Sequence, residues 1–205
     1  MNFFSRTAAV AVAVGCMLFP GAVCMAGEQS AEGKTLILYY SRTGNTRVAC
    51  EALQKELGAD MQEIRDLNSR DKGFGMIAGM FKTILGMRTK IEPATVDFEP
   101  YDRIIISAPI WAGTFGLAMR TFVKRNNFAG KDVLIFITAD SYMKEKPRQK
   151  HKDLVVASNG NVTGYFQVQA ADRIDGDKVP RTQEKIVEET LKLVPDIKAC
   201  IEGKN

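Results

Sequence analysis

Ser41-Arg42-Thr43-Gly44-Asn45-Thr46 packs three hydroxyls and one carboxamide into six residues, between an apolar run and the start of a helical pattern. A helix start presents unpaired backbone N–H groups and the positive end of the macrodipole. Together these hold an anion. Ser41, Thr43 and Thr46 can add hydroxyl donors and Asn45 an amide donor, while Gly44 lets the backbone come close to the charge. Both the Gly-x-x-x-x-Gly-Lys pattern of nucleotide hydrolases and the Gly-x-Gly-x-x-Gly pattern of dinucleotide enzymes are missing. The donors are mostly neutral, which suits one terminal monophosphate better than a triphosphate with its metal. Capping the helix would take one such residue, and this segment holds four.

A second segment, Ser107-Ala108-Pro109-Ile110-Trp111-Ala112-Gly113-Thr114, holds the only Trp of the chain, in what reads as a loop flanked by small residues. Trp111 can serve as an aromatic plate, and the backbone groups of Ala112, Gly113 and Thr114 can meet the polar edge of a flat ligand. A third segment reads Thr138-Ala139-Asp140-Ser141-Tyr142.

Tyr39 to Arg47 resembles the FMN-phosphate loop of the flavodoxin family, and Pro109-Ile110-Trp111-Ala112-Gly113 resembles the family's second FMN loop. The resemblance spans roughly residues 35–200. It implies that Ser41, Thr43, Gly44, Asn45 and Thr46 wrap the phosphate of FMN, with Arg42 contributing backbone. It also implies that Pro109, Ile110, Trp111, Ala112, Gly113 and Thr114 hold the isoalloxazine ring. Asp140 and Tyr142 would come from the third loop, with Tyr142 on the opposite ring face. That loop lacks the Gly-rich, acidic run of many flavodoxins. Carriers in the family tend to be strongly acidic, and this chain has a net charge of +4, which puts docking to the usual basic partners in doubt.

The elements that must position these loops alternate. Strands are expected over Thr35–Tyr40, Met61–Ile64, Arg103–Ala108, Val133–Thr138 and Val162–Ala170, from short apolar or alternating runs rich in β-formers. Helical spacing is expected over Gly44–Leu57, Phe115–Asn127, Lys144–Ala157 and Thr182–Ile201. A further helix is suggested over Met76–Met87, where Ile77, Met80, Phe81, Ile84 and Leu85 recur around Gly79 and Gly86. The Met-rich stretch 73–91 reads as a helix packed on the sheet, with a flap, a dimer contact or a docking patch as alternatives. Alternating strands and helices predict an α/β, flavodoxin-like three-layer sandwich with a five-stranded parallel sheet in the order 2-1-3-4-5.

Residues 1–26 differ from the rest. Arg6 is their only charge; an apolar run Ala8–Phe19 follows, and Cys24-Met25-Ala26 offers small residues at a cleavage site. This is the layout of a secretory signal peptide, followed by a flexible lead-in over 27–34 and one domain over 35–205. Export to the periplasm or beyond is expected, with no membrane span left after cleavage; an uncleaved membrane anchor is the alternative. Without Arg6 the chain carries 27 basic and 24 acidic residues, too even a balance to indicate nucleic acid. Cys50 and Cys200 would sit on parallel helices near opposite ends of the domain, farther apart than the roughly 7 Å a disulfide spans, so two free packed thiols are expected. Neither opens the Cys-x-x-x-x-x-Arg loop of a phosphatase, and no metal-ligand spacing is present. Lys144–Lys152 is dense in charge and contains the sole His, His151; a solvated helix face is expected there. The function expected is an FMN-binding redox protein, transferring electrons to a partner protein or reducing a small quinone-type acceptor. The alternative is a non-catalytic binding or scaffold protein on the same fold.

Overall fold

The computed structural model describes residues 33–68 and 88–203. The leader 1–26, most of the lead-in and the helix suggested over Met76–Met87 lie outside the described residues. The described elements run in chain order as β1 (Thr35–Tyr39), α1 (Asn45–Leu57), β2 (Asp60–Glu63), β3 (Arg65–Asp66), β4 (Ile91–Glu92), β5 (Arg103–Trp111), β6 (Thr114–Phe115), α2 (Leu117–Val123), β7 (Asp132–Ala139), α3 (Glu145–Val156), β8 (Asn161–Gln169), β9 (Ala171–Ile174), β10 (Asp177–Pro180) and α4 (Gln183–Ile201).

The central sheet has the order β2-β1-β5-β7-β8, and these five strands pair in parallel throughout. Counting only them, the order is the expected 2-1-3-4-5. Successive residues of a strand point to opposite faces, and the core divides accordingly. Leu36, Leu38, Ile104, Ile106, Val133, Ile135 and Ile137 pack on one face with Ala118, Met119, Phe122 and Val155 of α2 and α3. Ile37, Ile105, Leu134 and Phe136 pack on the other with Ala49, Cys50 and Leu53 of α1 and Ile186, Val194 and Ile197 of α4. Burial on both sides explains why the central strands β1, β5 and β7 read as near-continuous apolar runs.

Glycine and a threonine set the helix ends. Gly44 precedes α1 at φ 94°, and Gly58 closes it in the left-handed region, its N–H bonding the Gln54 carbonyl. Thr182 caps α4 by accepting from the Lys185 N–H at 3.3 Å. Among the described residues no helix is long and apolar enough to cross a membrane. Cys50 and Cys200 are both buried and free. Burial pushes the Cys50 thiol up to about 12, and the Cys200 thiol bonds the Thr163 carbonyl at 3.2 Å.

Several expectations are corrected. β5 continues to Trp111 instead of ending at Ala108, because Ile110 and Trp111 pair antiparallel with β6. Trp111 therefore ends a strand and does not lie in a loop. The helix expected from Phe115 begins at Leu117 and ends at Val123; Phe115 is a fully buried strand residue. The hairpin β9–β10 and the two-residue ladder β3–β4 had no signal in the sequence reading, since neither shows apolar alternation long enough to register. α3 does carry the expected charge, but His151 on it is 1% exposed and is not part of a solvated face.

A bulge at Thr163 shifts the register of β8 on β7, pairing Val133 with Val162 but Leu134 with Gly164. A Cβ on Gly164 would meet the Cys200 Sγ at 2.7 Å and the Phe166 ring at 3.0 Å. Gly164→Ala is therefore expected to lower unfolding free energy by roughly 1–3 kcal/mol through overpacking, read from the urea midpoint at constant slope.

Candidate functional site

The carboxyl ends of β1, β5 and β7 open onto a cavity of about 630 Å³, within the range of small-ligand sites. Arg42, Thr43, Asn45 and Thr46 line it from the first loop, Pro109, Ile110, Trp111 and Ala112 from the second, and Thr138, Ala139 and Asp140 from the third. One buried bond ties two of these loops together, between the Thr46 and Thr138 hydroxyls at 2.8 Å.

The first loop divides its donors. Ser41 Oγ accepts from the Arg47 N–H in the first turn of α1 at 3.2 Å. Thr46 is committed to Thr138. Thr43 and Asn45 line the cavity, beside the N–H groups of the first turn of α1. Gly44 is forced by its φ of 94°, and on the side where a Cβ would stand it meets the Gln183 amide at 2.7 Å. The Arg42 guanidinium lies over the Trp111 ring, 5.5 Å from its centroid, so its side chain, and not only its backbone, borders the site.

The second loop is a tight hairpin turn. Ala112 at φ 46° and Gly113 at φ 76° are both left-handed, as a two-residue turn of the primed type demands. Ala tolerates that region poorly, at a cost of roughly 1–2 kcal/mol. Trp111 packs edge-on against Tyr40, centroids 5.8 Å apart. Gly113 and Thr114 shape the turn without lining the cavity. His151 supports it from α3: its Nε2–H donates to the Gly113 carbonyl at 3.1 Å, and its Nδ1 accepts from the Tyr165 hydroxyl at 2.8 Å. The imidazole also stacks on Phe115 at 4.5 Å. Burial holds its pKa down to about 4, so the ring is neutral near pH 7. Burial likewise pushes the Tyr165 hydroxyl up.

Of the third loop, Asp140 lines the cavity and pairs with Lys178. Tyr142 stands outside it, 73% exposed.

The wall that sequence reasoning missed is β9–β10, which brings Ala171, Lys178, Pro180 and Arg181 to the cavity. Arg181 anchors it. Its side chain is 8% exposed. Its Nε and Nη2 donate to Asp172 at 2.8 and 2.6 Å, its Nη1 reaches Glu189 of α4, and Nη1 and Nη2 bond the Gln169 carbonyl and side chain. All five guanidinium N–H groups are thereby used, so Arg181 holds the hairpin and has no donor left for a ligand. The Arg181 guanidinium and the Lys185 ammonium lower the Asp172 carboxyl to about 2. The only sequence signal was the acid–base spacing Asp172, Arg181, Lys185 and Glu189, which is unremarkable until the chain turns back on itself.

Two outcomes follow from this geometry. Arg181→Gln is expected to release the hairpin and expose Arg173 and Lys178 to limited trypsinolysis at neutral pH, with the far-ultraviolet circular dichroism unchanged. For His151, the unfolded chain binds a proton below about pH 6.5 while the folded one stays neutral down to about 4. Stability should therefore fall as pH drops through that window, by up to about 3 kcal/mol. His151→Phe should flatten that slope in urea titrations at pH 7, 5 and 4.

The sequence pattern of the flavodoxin family matches residues 34–163. No curated protein matches the chain. Among solved structures, a flavoprotein from Lactobacillus acidophilus NCFM, crystallised in complex with FMN, is 22% identical with a TM-score of 0.56, over 66% of this chain and 93% of that one. A candidate flavoprotein from Bacteroides uniformis ATCC 8492 is 22% identical with a TM-score of 0.56, over 77% and 97%. One from Bacteroides eggerthii DSM 20697 is 23% identical with a TM-score of 0.53, over 80% and 98%. At such identities the likeness establishes a shared fold. With the parallel 2-1-3-4-5 sheet, the three loops at its carboxyl edge and the family pattern over residues 34–163, the chain belongs to the flavodoxin family.

Proposed function

We propose that the protein binds FMN in this cavity and works as a redox protein, passing electrons to a partner protein or to a small quinone-type acceptor. The observation that carries the reading is the composition of the cavity wall. It joins a glycine-opened helix N-terminus, with Thr43 and Asn45 beside it, to a single aromatic plate, Trp111, and a turn rich in backbone groups. The first set fits a phosphate monoester and the second a flat ring with one polar edge. Family membership supports the same ligand, as does the FMN held by the Lactobacillus acidophilus flavoprotein.

Bound FMN supplies reversible electron uptake and release, and the chain's own groups bind and orient it. Thr43 and Asn45 direct neutral donors to the phosphate, which keeps the site's charge low. The ionisable residues of the wall are spoken for: Asp140 pairs with Lys178, Arg181 is held by Asp172 and Glu189, and Arg42 lies on Trp111. None of them is placed as a proton donor or acceptor for a reaction, which suits a protein whose task is to hold and tune a redox group.

The reading includes export. Its support is the sequence of residues 1–26, with Arg6, the apolar run and the small residues before Gly27.

The purified protein is expected to quench FMN fluorescence with micromolar or tighter affinity. Thr43→Val and Trp111→Ala should each weaken binding about tenfold, in line with the loss of one charge-assisted hydrogen bond or one aromatic contact. A folded protein that leaves FMN fluorescence untouched would refute the proposal. Edman sequencing of protein recovered outside the cytoplasm should begin at Gly27; a start at Met1 would favour the anchored alternative.

A further inference from the structure

We infer that His151 is a positioning residue for the ring-binding turn: its Nε2–H fixes the Gly113 carbonyl, and so holds Trp111 and Ala112 at the cavity wall. The inference rests on the FMN reading above.

The turn needs an external hold. Ala112 sits at φ 46°, in a region that L residues with a Cβ occupy at a cost. A two-residue turn carrying such a residue returns to other conformations unless its surroundings oppose that. One imidazole joins the turn to two groups outside it, Tyr165 and Phe115. Gly113 O accepts from Nε2 at 3.1 Å, the Tyr165 hydroxyl of β8 donates to Nδ1 at 2.8 Å, and the Phe115 ring of β6 stacks at 4.5 Å. The Gly113 bond has a specific consequence. With the Gly113 carbonyl as its partner, Nε2 must carry the single proton of the neutral ring, and Nδ1 is left as an acceptor for the Tyr165 hydroxyl. The Gly113 carbonyl can only accept, so it selects the tautomer, and the Tyr165 hydroxyl, which can donate, satisfies the remaining Nδ1 and orients the ring. The Gly113 carbonyl is engaged by His151, and Ala112 is the residue of the turn that lines the cavity.

Ordinary core packing does not account for this choice of residue. α3 buries only His151 and Val155, on a helix otherwise lined with Lys146, Arg148, Lys150 and Lys152. A helix so poor in apolar contacts docks on the sheet in large part through His151. An aliphatic or aromatic residue would fill the same space without desolvating two ring nitrogens. What His151 adds over Phe is the pair of hydrogen bonds, and one of them ends on the turn.

The two explanations predict opposite orders for two variants, which makes them separable. His151→Phe keeps the ring volume and the stacking on Phe115 and loses both hydrogen bonds. His151→Gln loses the ring and keeps an N–H that can reach Gly113. Three readouts apply to the full protein: acrylamide quenching of Trp111, the only Trp of the chain, without FMN; the FMN dissociation constant; and the reduction potential of the bound flavin. If His151 positions the turn, His151→Phe leaves Trp111 more accessible, raises the dissociation constant about fivefold or more, and moves the potential, while His151→Gln lies closer to wild type on all three. If His151→Phe matches wild type and His151→Gln is the impaired variant, the side chain is core packing and the inference fails. Should His151→Phe not fold, Tyr165→Phe removes the hydroxyl that satisfies Nδ1 and orients the imidazole, and leaves His151 in place. The same changes at smaller amplitude are then expected, and their absence overturns the inference. Wild-type protein that fails to bind FMN sinks the functional proposal instead; Trp111 quenching in the ligand-free variants still decides the role of His151.

Discussion

Parallel pairing is the constraint from which the rest of this structure follows. Because β1, β2, β5, β7 and β8 all run the same way, every strand-to-helix connection emerges at one edge of the sheet. Three loops distant in sequence, at 41–46, 109–114 and 138–142, meet there for that reason alone. The order of the strands then separates the crossovers, sending α1 and α4 to one face and α2 and α3 to the other. Between them the edge is left open, which is where ligands bind in sheets of this kind. The bond between Thr46 and Thr138 is the local seal on that arrangement. It lies in the buried floor of the cavity and joins the start of α1 to the end of β7.

Two polar side chains carry much of the positional information around the cavity, and both are withdrawn from solvent. Arg181 spends all five of its donors on Asp172, Glu189 and Gln169, and so turns a ten-residue hairpin with little buried surface into a fixed wall. His151 spends one donor and one acceptor to join α3, β8 and the turn after β5. Buried groups of this kind contribute modestly to net stability, because desolvation offsets most of what their bonds return. They have geometric value here: each brings together elements that apolar packing alone leaves free to slide. The site is thus built in two grades. The sheet fixes where the loops emerge, and the polar clasps fix how the loops and the hairpin face the cavity.

The first loop of the cavity was legible in the sequence because its chemistry is local. Four donor side chains stand around Gly44 between a buried strand and a helix start, of which Thr43 and Asn45 line the cavity while Ser41 and Thr46 bond within the protein, and Trp111 stood out as the single Trp. The central strands β1, β5 and β7 were equally legible, since burial on both faces leaves a near-continuous apolar run, whereas the edge strands β2 and β8 read from shorter or alternating patterns. Boundaries were less so. β5 reads as ending at Ala108 because Pro109 breaks the apolar run, whereas its last residues are kept in strand conformation by β6, a pairing with no signature in two residues.

What tertiary structure alone decided are features made of residues far apart in the chain. His151 lies among lysines and arginines, and its local pattern describes an exposed helix; only the approach of Gly113, Phe115 and Tyr165 makes it a buried neutral ring. Tyr142 has the right chemistry for a flavin face, yet the chain after β7 carries it into solvent. The wall formed by β9–β10 depends on Arg181 meeting partners on β9, β8 and α4, a convergence that no sequence spacing encodes. The sequence by itself determined the fold, through the two-residue and helical periods of its apolar residues, and the place of the donor-rich first loop at the cavity, through short-range chemistry. The remaining walls of the cavity, and the orientation of the turn after β5, depended on long-range hydrogen bonds, whose partners are chosen by how the layers pack and not by where they stand in the chain.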